Sequence, residues 1–276
     1  MIGKKNRILR LVKTVFIIIL LILFNLPFFL MVNNSFKTTQ QFVDDPFALP
    51  KSISFKNYID AFKKMSFLRG LGNSFVIMTI SVFLIIVSSS MAAYFLVRNK
   101  WRLNKILYAV YVASMIVPFQ AIMIPLVSIY GKLKLLNNKW ILIFMYMGFG
   151  QAFAVFIFHG FIKSIPLEME EAALIDGCNR IKTFFLIVLP LLKPVIVTIL
   201  ILDVLWIWND YLLPSLILLS PSERTLPLST YSFFTSYSVD YAPLMAGLVL
   251  TIIPVVVAYI FCQKQIVKGV VQGAIK

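Results

Sequence analysis

The stretch EAALIDGCNRIKTFFLIVLP, residues 171–190, is a loop between two strongly apolar segments. Negative side chains near its start suit the N-terminal end of a helix dipole, and Gly177 favours the left-handed conformation that ends a helix. A second short helix is predicted from Asn179 to Leu189, because Pro190 disfavours its continuation. The loop therefore predicts a compact helix–turn–helix of the kind that inserts into a groove on another protein.

The first helix of this loop has one apolar side. Pro166 favours the first helical turn, and the apolar residues that follow fall on one stripe at i, i+7 and i+8: Leu167, Leu174 and Ile175. An amphipathic helix can instead lie among lipid headgroups, but such helices are normally basic. This helix carries a negative cluster, formed by Glu168, Glu170, Glu171 and Asp176. The charge therefore favours a protein partner.

The composition is that of an integral membrane protein. Of 276 residues, 60% are hydrophobic and 13% are charged, whereas soluble domains contain about 25% charged residues. Because about 20 apolar residues cross a bilayer core, six stretches predict six transmembrane helices: residues 11–32, 74–97, 106–130, 140–162, 195–219 and 241–262. We expect an all-α integral membrane protein with one domain over residues 1–276, and the loop at residues 163–193 lies between helices 4 and 5.

The distribution of positive charge favours a cytoplasmic N-terminus and C-terminus. That orientation places 16 Lys and Arg residues on inside segments totalling 66 residues and 10 on outside segments totalling 71 residues. The first outside loop, residues 33–73, opposes the preference with five basic residues between Lys51 and Arg69. Its segment 54–69 is predicted to form an amphipathic surface helix.

Polar side chains within the apolar spans indicate a passage through the bundle. Groups that both donate and accept hydrogen bonds suit a solute with hydroxyl groups, and the candidates are Gln120, Gln151, Asn209, Asp210 and Tyr211. Two alternatives stay open. Asp210 can instead lie at the outer interface, within an aromatic belt. Gln120 and Gln151 can instead form hydrogen bonds between helices.

No pattern in the chain predicts catalysis. There is no G-x-x-x-x-G-K-[ST] phosphate loop, no H-E-x-x-H and no G-x-S-x-G. The two cysteines, Cys178 and Cys262, lack metal-ligand spacing, and both fall on the predicted cytoplasmic side, where no disulfide is expected. We therefore expect no catalytic residue, no metal site and no cofactor in this chain.

Residues 171–190 match the signature of bacterial ABC-importer permeases, E-A-A-x3-G-x9-I-x-L-P, at every fixed position. Other segments resemble the sugar-permease subgroup: residues 73–74, 92–98, 115–118, 124–126, 208–210 and 213–214, and the tail at Gln263, Val267, Gly269 and 273–276. Ile275 and Lys276 stand where relatives often have Val-Lys-Gly. The chain resembles the six-span permease of the carbohydrate group that includes the maltose system.

The resemblance implies that this loop and the C-terminal tail contact ATPase subunits. The implied loop contacts are Glu171, Ala172, Ala173, Asp176, Gly177 and Pro190, and the implied tail contacts are Gln263, Gly269, Gly273 and Lys276.

The resemblance further implies a heteromeric importer in a bacterial plasma membrane. Its other subunits would be a second homologous permease, two ABC ATPases that bind ATP and Mg, and an extracytoplasmic sugar-binding protein. Nucleic acid is not expected as a partner. The outside loop at residues 220–240 is predicted to contact the binding protein through its aromatic residues: Tyr231, Phe233, Phe234 and Tyr237.

Three alternatives stay open at this point. The chain can be a permease of the same superfamily for another solute class, such as peptides or amino acids. It can also be a secondary transporter that couples solute to ions through Asp203 and Asp210. A membrane enzyme is disfavoured because the sequence holds no catalytic constellation.

Overall fold

The computed structural model describes the backbone of residues 2–235 and 237–274, and the side chains of residues 9–235, 237–260 and 263. Within these residues the regular structure is helical, as the sequence predicts. The α-helices in chain order are α1 (Ile2–Ser35), α2 (Thr39–Asp44), α3 (Lys56–Lys64), α4 (Phe67–Arg98), α5 (Arg102–Ser114), α6 (Phe119–Lys132), α7 (Lys139–Ile162), α8 (Glu168–Ile175), α9 (Arg180–Thr183), α10 (Leu189–Leu191), α11 (Lys193–Asn209), α12 (Leu212–Ile217), α13 (Leu226–Ser229) and α14 (Tyr241–Ala274).

Helices long and apolar enough to cross a membrane confirm an all-α membrane protein. Four of the described segments meet this test singly: Leu9–Ser35, Phe67–Arg98, Lys139–Ile162 and Tyr241–Ile260. Two further pairs of helices meet it only together, and each pair is sharply bent. The described residues therefore contain four spans, or up to six if each bent pair is one span, and the count of six stays a prediction.

The third predicted span, residues 106–130, is not a continuous helix. Helix α5 ends at Ser114, α6 begins at Phe119, and the two are bent by 100°. The break precedes Pro118, which is extended with ψ of 137°. Proline disfavours helical backbone in the residue before it, so the chain leaves the helix here.

The fifth predicted span, residues 195–219, is also interrupted. Helix α11 ends at Asn209, because Asp210 is extended with ψ of 128°. The chain then resumes as the short helix α12, so residues 210–219 do not continue the span.

The chain divides into two compact units. One comprises residues 1–67 and 230–256, and the other comprises residues 68–229 and 257–276. The predicted single domain over residues 1–276 stays a prediction.

In the second unit, α4 packs closely on α7. Ile85 on α4 is fully buried, and a Cβ on Gly150 of α7 would lie 2.6 Å from its Cδ1. A side chain at this position would require Ile85 to shift. Tyr146 and Phe158 of α7 are fully buried in the same core, so α4 and α7 form the support for the loop that follows α7.

In the first unit, Phe233 is a core residue. It is fully buried, and a Cβ on Gly247 would lie 2.7 Å from its ring. The prediction that Phe233 contacts a binding protein is therefore wrong. Tyr237 is fully exposed, and Tyr231 and Phe234 are about half exposed, so their predicted contact stays a prediction.

Candidate functional site: the loop between α7 and α11

Helix α8 is the first helix of the loop. Its first turn forms on the carbonyl of Leu167, which accepts hydrogen bonds from the backbone N–H of Glu170 at 2.9 Å and of Glu171 at 3.0 Å. Pro166 lies outside the helix, two residues before its first residue, Glu168. Pro166 therefore ends the preceding turn instead of occupying the first turn of α8, which corrects the sequence prediction.

The end of α8 is a Schellman motif. The N–H of Gly177 donates to the carbonyl of Leu174 at 3.1 Å, and the N–H of Cys178 donates to the carbonyl of Ala173 at 3.0 Å. Gly177 has φ of +88°, in the left-handed region. The prediction that Gly177 ends the helix in this conformation is confirmed.

The second helix of the loop differs from the prediction. Asn179 caps α9 by accepting a hydrogen bond from the N–H of Lys182 at 2.9 Å. The chain then widens into a π-helical turn over Phe184–Val188, and the N–H of Leu189 reaches back five residues to the carbonyl of Phe184. Such turns occur where the i→i−4 ladder is disturbed.

Pro190 lies inside the short helix α10 and does not end it. Proline removes one N–H from the ladder, and the break follows at Leu192. The segments Arg180–Leu191 and Lys193–Asn209 are bent by 74°. The predicted stop at Pro190 is therefore displaced by two residues, and it becomes a bend into the next membrane helix.

The loop is divided into a buried side and an exposed side. Glu170 and Ala173 are the buried residues of α8, with 4% and 7% exposure. The other loop residues that the resemblance implies as ATPase contacts are exposed: Glu171, Ala172, Asp176, Gly177 and Pro190. The buried side thus contains the carboxylate of Glu170, which the sequence analysis grouped with the other acidic residues of this helix.

Glu170 is held by two residues of α4. Its Oε1 accepts a hydrogen bond from Nε of Arg98 at 2.7 Å and lies 2.7 Å from Nη2 of the same guanidinium, and its Oε2 accepts a hydrogen bond from the hydroxyl of Tyr94 at 2.8 Å. Nη2 of Arg98 also donates to the carbonyl of Ile165 at 3.1 Å. Both carboxylate oxygens are therefore paired, as a buried charge requires. Sequence analysis missed this contact, because no local spacing relates residues 72 positions apart.

A groove of about 520 Å³ separates the loop from the end of α4. Its floor includes Tyr94, Arg98 and Glu170, and its rim includes Glu171, Leu174 and Ile181. Ile175 and Ile181 remain 86% and 69% exposed. An exposed apolar edge beside an internally braced helix is the arrangement expected of a docking element.

The candidate pathway residues do not form one cluster. Oδ2 of Asp210 accepts a hydrogen bond from the hydroxyl of Tyr146 at 2.9 Å, and Oδ1 caps α12 by accepting from the N–H of Leu212 at 3.0 Å. Asn209 and Tyr211 flank it and are exposed. Asp210 therefore holds the break between α11 and α12 in addition to any contact with solute.

The two glutamines differ from each other. Oε1 of Gln151 accepts a hydrogen bond from the hydroxyl of Ser88 at 2.8 Å, which joins α7 to α4. This is the helix–helix bond that the sequence left as the alternative. Gln120 is exposed near the start of α6.

The tail is described in part. The side chain of Gln263 is exposed, and its Nε2 donates to the carbonyl of Ile260 at 3.0 Å. Gly269 and Gly273 lie within the backbone of α14, but their surroundings lie outside the described side chains. Lys276 lies outside the described residues.

An all-helical membrane protein with an exposed loop helix braced on its own bundle has the architecture of a transport permease. The family of binding-protein-dependent transport system inner membrane components matches residues 84–272. The chain belongs to this family. It is a permease component of an ABC importer, and in such importers the ATPase is a separate subunit and the complex includes a binding protein.

Several curated permeases are similar over nearly the whole chain. A probable starch degradation products transport system permease of Thermoanaerobacterium thermosulfurigenes is 41% identical over 259 residues, which are 94% of each chain. A multiple sugar-binding transport system permease of Streptococcus mutans is 38% identical, over 92% of this chain and 93% of that one. A melibiose/raffinose/stachyose import permease of Bacillus subtilis is 33% identical, over 91% of each.

A solved structure shares the fold. It is a bacterial ABC transporter involved in the import of the acidic polysaccharide alginate, with a TM-score of 0.80 and 23% identity. The match covers 94% of this chain and 97% of that chain.

The buried ion pair predicts the response to substitution at Glu170. Glu170→Ala leaves Arg98, whose side chain is 14% exposed, without its carboxylate partner, and removing one member of a mostly buried pair costs up to about 3–5 kcal/mol. We expect a clearly lower melting temperature of the detergent-solubilised complex, whereas the exposed Glu168→Ala on the same helix leaves it unchanged. The double variant Arg98→Met with Glu170→Met recovers part of the loss, because no charge remains unpaired. Equal melting temperatures for Glu170→Ala and Glu168→Ala would contradict the contact.

Proposed function

We propose that this permease imports a sugar or oligosaccharide that an extracytoplasmic binding protein delivers, with the energy supplied by ATP hydrolysis in separate subunits. The curated relatives support this solute class, since their names refer to starch degradation products, multiple sugars and raffinose-type sugars. The family assignment supports the ABC mechanism.

The observation that carries the mechanism is the contrast between the two glutamates on α8. Glu170 faces inward and is tied to α4, whereas its neighbour Glu171 faces outward on the rim of the groove. We propose that the outward side of α8 docks on an ATPase subunit and that the inward side transmits the resulting displacement to α4. The proposed docking contacts are Glu171, Ala172, Asp176, Gly177 and Pro190. Ala173, which the resemblance implies as a further contact, is buried, so we propose that it supports the docking surface from its inner side.

The proposed complex contains one copy of this chain, a second homologous permease and two ABC ATPases. ATP and Mg bind in the ATPases, and the complex lies in a bacterial plasma membrane. The loop and both termini face the cytoplasm, because the ATPases must reach the loop there. The tail residues Gln263, Gly269, Gly273 and Lys276 are proposed as a second ATPase contact, and uptake that survives deletion of residues 269–276 would refute that contact.

Uptake by the reconstituted complex tests the proposed function. Proteoliposomes that contain the complete complex, with ATP inside and the binding protein outside, should accumulate labelled malto- or raffinose-type oligosaccharides and exclude labelled peptides. Accumulation that needs an ion gradient but no ATP would contradict the proposal and favour a secondary transporter.

The same vesicles test the coupling role of the loop. Gly177→Val forces a β-branched residue into the left-handed region, at a cost on the order of 1–3 kcal/mol, so sugar-stimulated ATP hydrolysis should fall with uptake. Gly177→Asn is the matched control, because asparagine tolerates this conformation, and it should retain both activities. Normal coupling in Gly177→Val would exclude a role for the Schellman turn.

We propose that Gln120, Gln151, Asn209, Asp210 and Tyr211 face the translocation pathway at some stage of transport. The exposure of three of them supports this, but Gln151 and Asp210 already have partners within the bundle. Single cysteines at these positions, in a Cys178→Ser, Cys262→Ser background, should therefore differ in their rate of labelling. A water-soluble thiol reagent should label positions 120, 209 and 211 in resting complexes and should label positions 151 and 210 more slowly. Absence of labelling at 120, 209 and 211 in both resting and nucleotide-trapped complexes would refute the pathway.

A further inference from the structure

Helix α3, in the first unit, presents three different faces. One face packs inward and includes the fully buried Ala61, followed by Met65 just beyond the helix. A second face is apolar but exposed: Phe55, Ile59 and Phe62 lie at i, i+4 and i+7 and are 64%, 55% and 40% exposed. The third face is charged and carries Lys56, Asp60, Lys63 and Lys64. Within the chain Phe55 contacts Phe36 and Phe62 stacks on Phe67, yet the stripe remains 40–64% exposed, as expected of a surface that contacts a further partner.

The start of α3 is tied to the end of α1. Nδ2 of Asn57 donates to the carbonyl of Ser35 at 2.8 Å and to the carbonyl of Lys37 at 2.7 Å. The hydroxyls of Ser35 and Tyr58 are hydrogen-bonded at 2.7 Å. Ser35 is the last residue of α1, a helix long and apolar enough to cross a membrane, so the start of α3 lies beside the end of that candidate span.

The end of α3 is tied to the start of α14. Nζ of Lys64 lies 3.1 Å from Oδ2 of Asp240, the residue before Tyr241, where the last membrane helix begins. Helix α3 is therefore attached at its two ends to the same-side ends of two membrane helices. A helix held in this way lies along the membrane surface and not away from it.

Aromatic rings mark the same depth. Phe36 lies 5.6 Å from Phe55 and 5.4 Å from Tyr58 between ring centroids, and Phe42 stacks on Tyr241 at 4.9 Å. Aromatic residues concentrate at the boundary between hydrocarbon and headgroups. The neighbouring surface of α1 also faces outward, since none of the most apolar part of its span is buried. The exposed stripe of α3 therefore lies next to the end of α1, the helix whose apolar surface faces outward.

The charges beside the stripe are positive. Among the described residues neither Lys56 nor Lys63 has an ion-pair partner, whereas Lys64 is paired with Asp240. On the helical wheel, Lys56 and Lys63 adjoin the edge of the stripe that contains Ile59. Lysines at this position can extend their stems over apolar surface and place their ammonium groups among phosphates.

We propose that α3 is a lipid-binding helix of this permease, with Phe55, Ile59 and Phe62 inserted at the acyl boundary and Lys56 and Lys63 bound to the phosphates of anionic headgroups. With the proposed orientation the helix lies in the outer leaflet. This role also accounts for the basic residues of the first outside loop, which oppose the usual distribution of charge. The partner is a lipid surface and not a binding protein, because the helix is held at membrane depth by both of its ends.

Depth measurements test the apolar half of the proposal. In the complete complex, reconstituted in nanodiscs in the Cys178→Ser, Cys262→Ser background, spin labels are placed at Ile59→Cys and, as the matched control on the charged face, at Asp60→Cys. The label at 59 should collide with oxygen more than with an aqueous nickel reagent, and the label at 60 should show the reverse. Equal exposure of both labels to the nickel reagent would overturn the proposal. Exclusion of both reagents from position 59, with or without added binding protein, would identify a protein surface and also overturn it.

Brominated lipids test the headgroup half. A fluorophore at residue 59 should be quenched more strongly by brominated phosphatidylglycerol than by brominated phosphatidylcholine in mixed bilayers, by about twofold or more, since lysines near the surface attract anionic headgroups. Lys56→Gln with Lys63→Gln should abolish the preference and leave quenching by both lipids. Lys132→Gln with Lys134→Gln changes the net charge equally and should retain it. Equal quenching by the two lipids in the unsubstituted helix would refute the role of the lysines. Sugar uptake is not needed for either measurement, so their outcome is independent of the proposed function.

Discussion

The buried carboxylate of Glu170 is the constraint on which the loop depends. A charge with 4% exposure is costly unless it is paired and hydrogen-bonded. Arg98 and Tyr94 satisfy it from the last turns of α4. Because the carboxylate of Glu170 is buried, the loop cannot move from α4 without separating it from the groups that pair it. The contact therefore holds together two segments that are far apart in the chain.

The contact between Glu170 and α4 explains how the short helix α8 can pack on the bundle with one side and remain free to bind a partner with the other. A helix of eight residues is too short to be stable alone in water. Its start forms on the carbonyl of Leu167, its end is closed by the Schellman turn at Gly177, and its inner side is fixed by Glu170. The outer side, with Glu171 and the exposed Ile175, then remains available to a partner. We infer that the rigidity of the inner side makes the outer side useful for coupling.

Much of this arrangement follows from local sequence. The left-handed glycine and the cap at Asn179 are local signals, because each depends on residues within one or two turns. The apolar runs also predict the membrane helices, although their number depends on how the two bent pairs are counted.

Other features require tertiary information. The break near Pro118 lies inside a stretch that the sequence predicts as one span, because a proline in an apolar stretch does not determine how far a helix bends. The π-helical turn at Phe184–Val188 has no residue pattern that announces it. The sequence does not distinguish Glu170 from Glu168 and Glu171, because any glutamate in the first turn of a helix is favoured by the helix dipole. Its partner Arg98 lies on another helix, and only the fold brings the two together.

The most direct test of the coupling account is the distance between the loop and α4 during transport. Spin labels at Glu168→Cys and Lys100→Cys, in a background without Cys178 and Cys262, report this distance by double electron–electron resonance. If the pair of Glu170 with Arg98 joins the two segments, resting and nucleotide-trapped complexes should give the same narrow distance distribution. In Glu170→Ala the distribution should broaden. A shift between the two states with the native pair in place would contradict the account, because the loop would then move independently of α4.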